Sequence, residues 1–392
     1  MKRIISVLAV IMLALGIAVP AMAAVKPNKY SLPLDGTVLQ NVEDRAITTA
    51  TPAERNPIIA GESPTTGLSW QGIYLPMLVQ ISNPEGSIDV NGKTVKSAGI
   101  GQRAPWGGAY ADIVYEGILY RTGETRISFL FSDTLEDGEP TSVGPVRSAR
   151  IGHVLLREEW QSGLIYAGGP RKEENNIAEM FQELGASDKG VLFDLLTNKF
   201  QDYRQRVQGV KSPDNLDVNV VGLRNQIPTN YTAAPHAFLF ADASPYTDGY
   251  DLAYKINLDW GHEKWISHFV YDETENLYYR YSGNAPYLSY ASASDRSEEN
   301  QTWLSFSNVI IQRVSYEYTN NNKIMPVMQS VGKGNADIFI GGRYIPGYWV
   351  RDSIEGPTVF YDNAGNELQF TRGKTFIAHL PPESLCTFTG VE

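Results

Sequence analysis

Between Glu116 and His153 the sequence concentrates groups suited to handling negative charge. The segment Val143-Gly144-Pro145-Val146-Arg147-Ser148-Ala149-Arg150 runs into an apolar, helix-like stretch from Ile151 to Trp160. Ser148 reads as the N-cap of that helix, its hydroxyl accepting an early amide. Arg147 and Arg150 then sit at the positive end of the helix dipole, where cations are disfavoured, so something negative should compensate. Free amides, a dipole and two guanidinium forks are the components of a phosphate or carboxylate site. His153, one turn on, could line the same site or be an ordinary helix-surface residue. The opposing reading is internal: the arginines pair with Asp112, Glu116 or Glu124 in a network that needs no ligand.

A third arginine, Arg126, depends on the register of a hairpin. Ala111 to Tyr120 and Arg126 to Ser132 read as its strands. A four-residue loop, Arg121 to Glu124, mixes apolar and charged side chains on both faces. A five-residue loop, Arg121 to Thr125, sets Tyr120 opposite Arg126 and gathers Ile113, Tyr115, Leu119, Ile127, Phe129 and Phe131 on one face. Asp112, Glu116, Arg126, Ser128 and Ser132 then share the other, and since a one-residue slip reverses every side chain, this clean segregation selects the second register. Asp112 and Glu116 do not make a glycosidase pair: four residues at about 3.3 Å each separate them by roughly 13 Å, beyond the 5 to 9.5 Å or so that glycoside hydrolysis uses.

Two functions fit these residues. The favoured one is non-catalytic binding of an anion, with Arg126, Arg147, Ser148, Arg150 and His153 as ligand-binding residues. The alternative is a cell-surface enzyme acting on phosphate or glycan substrates, with Glu116 as general base and the arginines stabilising developing charge. A Glu116 held between arginines would be a poor base.

Other constellations are weaker. His262 and His268 lie about 20 Å apart along an extended strand, too far for one metal without a turn. Ser330-Val331-Gly332-Lys333 matches S-x-x-K, but no K-T-G follows. There is no P-loop and no dinucleotide fingerprint, so no metal and no cofactor is expected. The one cysteine, Cys386, excludes an intramolecular disulfide and a cysteine zinc site.

The elements that must position these groups fall into a defined order. Lys2 and Arg3 precede an apolar run from Ile4 to Val19 and then Ala21-Met22-Ala23, the pattern of a secretory signal peptide cleaved after Ala23. Residues 24–69, rich in Pro, Thr, Asn and Ala, read as a flexible tether with at most one short strand. Residues 70–227 alternate strands with helices, as an α/β-type mixed domain does. Pro228 to Pro235 marks the boundary, beyond which the hydrophobic period turns to two and residues 236–392 read as a mostly antiparallel β domain. The fold class expected is α+β. With 44 acidic against 33 basic residues the net charge is −11, which disfavours nucleic acid as a partner. No second apolar run is long enough to span a bilayer.

Ala111 to Glu116, Gly123-Glu124-Thr125-Arg126 and Val143 to Arg150 together resemble the YerB-like family of bacterial putative lipoproteins. Pro64-Thr65-Thr66-Gly67-Leu68, Ala167-Gly168-Gly169, Asn308-Val309-Ile310 and Gly342 to Trp349 extend the resemblance over residues 62–382. It implies a two-part envelope protein whose biochemical role is not established. The chain departs from the family where Asp214 and Tyr287 stand in place of histidines and where no cysteine follows the apolar run, so no lipid anchor is expected. The expectation is an exported, cell-envelope protein whose partner is an anionic cell-wall polymer or an envelope protein.

Overall fold

The computed structural model describes residues 37–39, 59–172, 175–318 and 325–390. The expected signal peptide and most of the expected tether lie outside them. In chain order the elements that frame the site are β1 (Met77–Ile81), β2 (Ile113–Ile118), β3 (Thr125–Phe131), α1 (Ile151–Trp160), β4 (Gly163–Tyr166), α2 (Ile177–Glu183), β5 (Leu192–Asp194), β6 (Asp251–Leu252), β7 (Lys255–His262), β8 (Trp265–Asp272), β9 (Leu277–Ser282), β10 (Asn308–Arg313), β11 (Gly332–Ile340), β12 (Arg343–Arg351), β13 (Val359–Asp362), β14 (Thr375–Leu380) and β15 (Cys386–Thr389).

The architecture is mostly β. A mixed central sheet runs β6-β12-β11-β10-β14-β2-β3-β1-β4-β5, with β13 also on β12. It is apolar on both faces because both are covered, as a central sheet of this kind requires. Leu78, Ile113, Leu130, Ile310 and Ile377 point to the side where α1 and α2 pack with Val154, Leu156, Trp160, Ile177 and Phe181. Val79, Val114, Phe129, Ile311 and Phe376 point the other way, onto a largely antiparallel second sheet containing β15, β7, β8 and β9, where Phe269 meets Phe376 at 4.8 Å between ring centroids. The helical layer is thin, and the α/β character expected of residues 70–227 reduces to parallel pairing of β1 with β4 and β4 with β5.

The stretch 228–235 connects parts of one sheet. β14 pairs in parallel with β2, Ile377 opposite Tyr115, so strands from before and after the proline-rich connection lie side by side. The folded region also begins earlier than Ser69. Ser63, Thr65 and Thr66 are buried, and Ser63 Oγ and Thr66 Oγ1 each donate to the Asp133 carboxylate at 2.6 Å. Proline content suggested a tether here, but side-chain hydrogen bonds to a distant carboxylate hold the turn in place.

The hairpin register differs from the expected one. Glu116 lies opposite Ile127 and Gly117 opposite Arg126, and the strand ends Ile118 and Thr125 are joined through a turn in which the Gly123 amide donates to the Tyr120 carbonyl. Alternation therefore sends Glu116 to the second-sheet face and Arg126 and Ser128 to the helical face. Polarity does not set this register, because neither face of the hairpin meets water. With both covered, each can carry apolar and charged groups together.

Candidate anion-binding site

The helix start is also displaced. Val146 donates its amide to the Leu216 carbonyl at 2.8 Å, Arg147 to Gln80 at 2.8 Å and Ala149 to Gly168 at 3.0 Å. The segment is thus held extended until Arg150, which is the N-cap at φ −135°, ψ 169°. Ser148 is not the cap. His153 closes the helix end instead, its Nδ1 accepting the Arg150 amide at 3.0 Å while its own amide donates to the Arg150 carbonyl at 3.0 Å. Arg150 Nη1 turns back onto Ser148 Oγ at 2.9 Å and the Ala149 carbonyl at 2.8 Å. Ser148 therefore acts through Arg150.

The N-terminus of α1 packs over β2, β3 and β14, and there Arg126, Arg150 and His153 meet around a cavity of about 30 Å³. Ser128, Tyr316, Met328 and His379 complete much of its wall. Gly117 opposite Arg126 leaves the floor open, since a Cβ there would stand 3.0 Å from the Tyr316 hydroxyl. Tyr316 fixes the opposite wall by accepting the Ile118 amide at 3.1 Å and donating to the His379 carbonyl at 2.7 Å. His379 stacks on Tyr115 with ring centroids 5.4 Å apart.

Five arginines are buried among the described residues: Arg126, Arg157, Arg280, Arg313 and Arg351. Four hold a carboxylate, Arg157 on Glu158 at 2.5 Å, Arg280 on Glu116 at 2.7 Å, Arg313 on Asp337 at 3.0 Å and Arg351 on Glu159 at 3.1 Å. Arg126 holds none. It is 4% exposed, and its Nε and Nη1 have no hydrogen-bond partner. A buried charge without a counter-charge is expensive. Burial pushes the Arg126 guanidinium down to about 9, with the neighbouring charges of Arg150 and Arg147 adding to the effect. Burial likewise lowers Arg150, opposed by the Tyr120 hydroxyl beside it. His153 is held well below the usual imidazole range by burial and then by Arg126 and Arg150, and burial takes His379 down to about 3. At neutral pH the cavity presents two guanidinium charges beside two uncharged imidazoles, and no carboxylate lines it.

The remaining candidates fall elsewhere. Arg147 Nη1 lies 2.7 Å from Asp214, which also accepts from Ser82 Oγ at 2.6 Å and pairs with Arg103 at 3.4 Å. Glu116, on the opposite sheet face, takes Arg280 at 2.7 Å, Thr125 Oγ1 at 2.6 Å and Ser267 Oγ at 3.0 Å. Arg280 in turn lies 3.6 Å from the ring centroid of Tyr287. Asp214 and Tyr287 thus each stand against an arginine. His262 and His268 are occupied by the Lys264 amide and by Asn257, and no cluster of metal-ligating side chains occurs among the described residues. The sequence reading missed His379, Tyr316 and Arg280. All three come from the second half of the chain and reach the hairpin only through the pairing of β14 with β2 and the packing of the second sheet.

Among the described residues no helix is long and apolar enough to cross a membrane. No curated protein matches the chain. The crystal structure of the YerB protein from Bacillus subtilis is similar, with a TM-score of 0.59 at 21% identity over 82% of this chain and 96% of that one. Residues 100–233 match the N-terminal domain, and residues 256–377 the C-terminal domain, of the protein family of unknown function DUF3048. Two adjoining family domains and a shared fold make this chain a member of the YerB-like, two-part DUF3048 family.

Proposed function

We propose that this is an exported cell-envelope protein that binds the anionic group of a cell-wall component or partner protein through Arg126 and Arg150, with His153 as a neutral donor beside them. The observation that carries this reading is the contrast among the buried arginines of the described residues: Arg126 is the one whose guanidinium has no carboxylate. A site that keeps an uncompensated charge is where a ligand supplies the missing partner. The signal-peptide pattern at Ala21-Met22-Ala23 supports export. An enzyme using Glu116 as base is disfavoured, because that carboxylate is bound to Arg280 across the sheet from Arg126.

Calorimetry and thermal unfolding of the mature chain with inorganic phosphate test the reading. Wild type should gain stability with rising phosphate, and Arg126→Gln should not. If millimolar phosphate, sulfate and carboxylate ligands all leave the wild type unchanged, the proposal is wrong.

A further inference from the structure

The partnerless nitrogens around the cavity are all donors. Arg126 Nε and Nη1 and Arg150 Nε are buried without an acceptor. The His153 Nδ1 accepts the Arg150 amide, which leaves the proton of the neutral ring on Nε2, where it can only donate. Asp214, whose charge reaches Arg126, is committed to Arg147, and Glu116, on the other sheet face, to Arg280. The cavity is small, about 30 Å³.

We infer that the site takes a terminal, doubly charged oxyanion, the end of a phosphate monoester or a sulfate, and discriminates against phosphodiesters. This rests on the anion-binding reading above. Two guanidinium charges match a dianion and leave a diester's single charge short. A protonated phosphate brings a hydroxyl that finds no carboxylate to accept its hydrogen, and a polar group buried without its partner weakens binding.

Calorimetry on the mature protein with glycerol 3-phosphate, glycerophosphoglycerol and sulfate, at pH 7.5 and pH 5.0, tests this. The monoester should bind at least about tenfold more tightly than the diester at pH 7.5. Its affinity should fall about tenfold at pH 5.0, below its second ionisation near 6, while sulfate should bind alike at both. Sulfate, doubly charged at both pH values, controls for any titration of the protein, so the difference between the two ligands reads the monoester's own ionisation. A diester binding as tightly as the monoester, or a monoester indifferent to pH, overturns the inference and leaves the anion site standing. If no ligand binds, the anion reading itself fails. Arg126→Gln should abolish monoester binding, and Arg150→Gln serves the same purpose if the first variant does not fold; retained binding in a folded variant counts against both.

Discussion

The two faces of one hairpin solve the same electrostatic problem in different ways. On the second-sheet face Glu116 meets Arg280 at 2.7 Å, with both side chains 1% exposed, and hydroxyls from Thr125 and Ser267 complete the carboxylate's hydrogen bonds. On the helical face Arg126 is almost as buried, lies beside Arg150 and has no acid. Gly117 opposite Arg126 and Glu116 opposite Ile127 are neighbouring pairs on the same two strands. Strand alternation therefore separates a closed ion pair from an open cationic cavity. A buried charge by itself does not mark a function, whereas a buried charge whose partner is absent asks what completes it.

The largest effect should come from breaking the closed side. Glu116→Gln leaves the Arg280 charge without its carboxylate in a dry site and should cost about 3 to 5 kcal/mol, read from urea unfolding. A loss under about 1 kcal/mol would show that water reaches this face and that the contrast between the faces is weaker than the burial indicates.

The open side should behave in the opposite sense. Arg126→Gln removes a charge that no protein group neutralises, so stability should hold or rise by about 1 kcal/mol while stabilisation by phosphate disappears. A loss comparable to that of Glu116→Gln would make Arg126 a structural residue and erase the comparison.

A third buried titratable group sharpens it through pH. Burial, then the Asp133 carboxylate, push Asp112 from 3.8 up to about 8, although the Asp133 amide and Thr65 Oγ1 donate to it and Lys374 lies nearby. A folded-state pKa above the unfolded value means the native state holds the proton where the unfolded chain releases it. Asp112 therefore contributes a loss of stability as pH rises from about 4 to about 8. Asp112→Asn should flatten that slope and raise the melting temperature at pH 9 relative to wild type. An unchanged slope would mean that Lys374 keeps Asp112 ionised in the folded protein.

The smallest effect belongs to the part-exposed pair. Arg147 is 27% exposed by side chain, and Asp214 keeps Arg103 and Ser82 when Arg147 is lost. Arg147→Gln should cost only about 0.5 kcal/mol and weaken phosphate binding less than Arg126→Gln does. If Arg147→Gln abolishes binding, the ligand reaches further toward Asp214 than the cavity lining indicates.

The sequence by itself determined several things about this protein. The period of two after Pro235 marks the β-rich second half, Ile151 to Trp160 forms the expected helix, and motifs such as Val143 to Arg150 carry the family. Arg126, Arg150 and His153 could be named because they lie close together in the chain around one hairpin and one helix start. Tertiary structure alone decided which groups face each other. The hairpin register could not be read from polarity, because both faces of β2 and β3 are buried and polar segregation holds only where one face meets water. The helix cap moved from Ser148 to Arg150 because Gln80 and Gly168 claim the amides of Arg147 and Ala149. Glu116 found Arg280, 164 positions away, and Arg126 came to face His379 and Tyr316, through contacts between distant parts of the chain. A local sequence pattern can propose a charge, but only long-range packing determines whether that charge is neutralised.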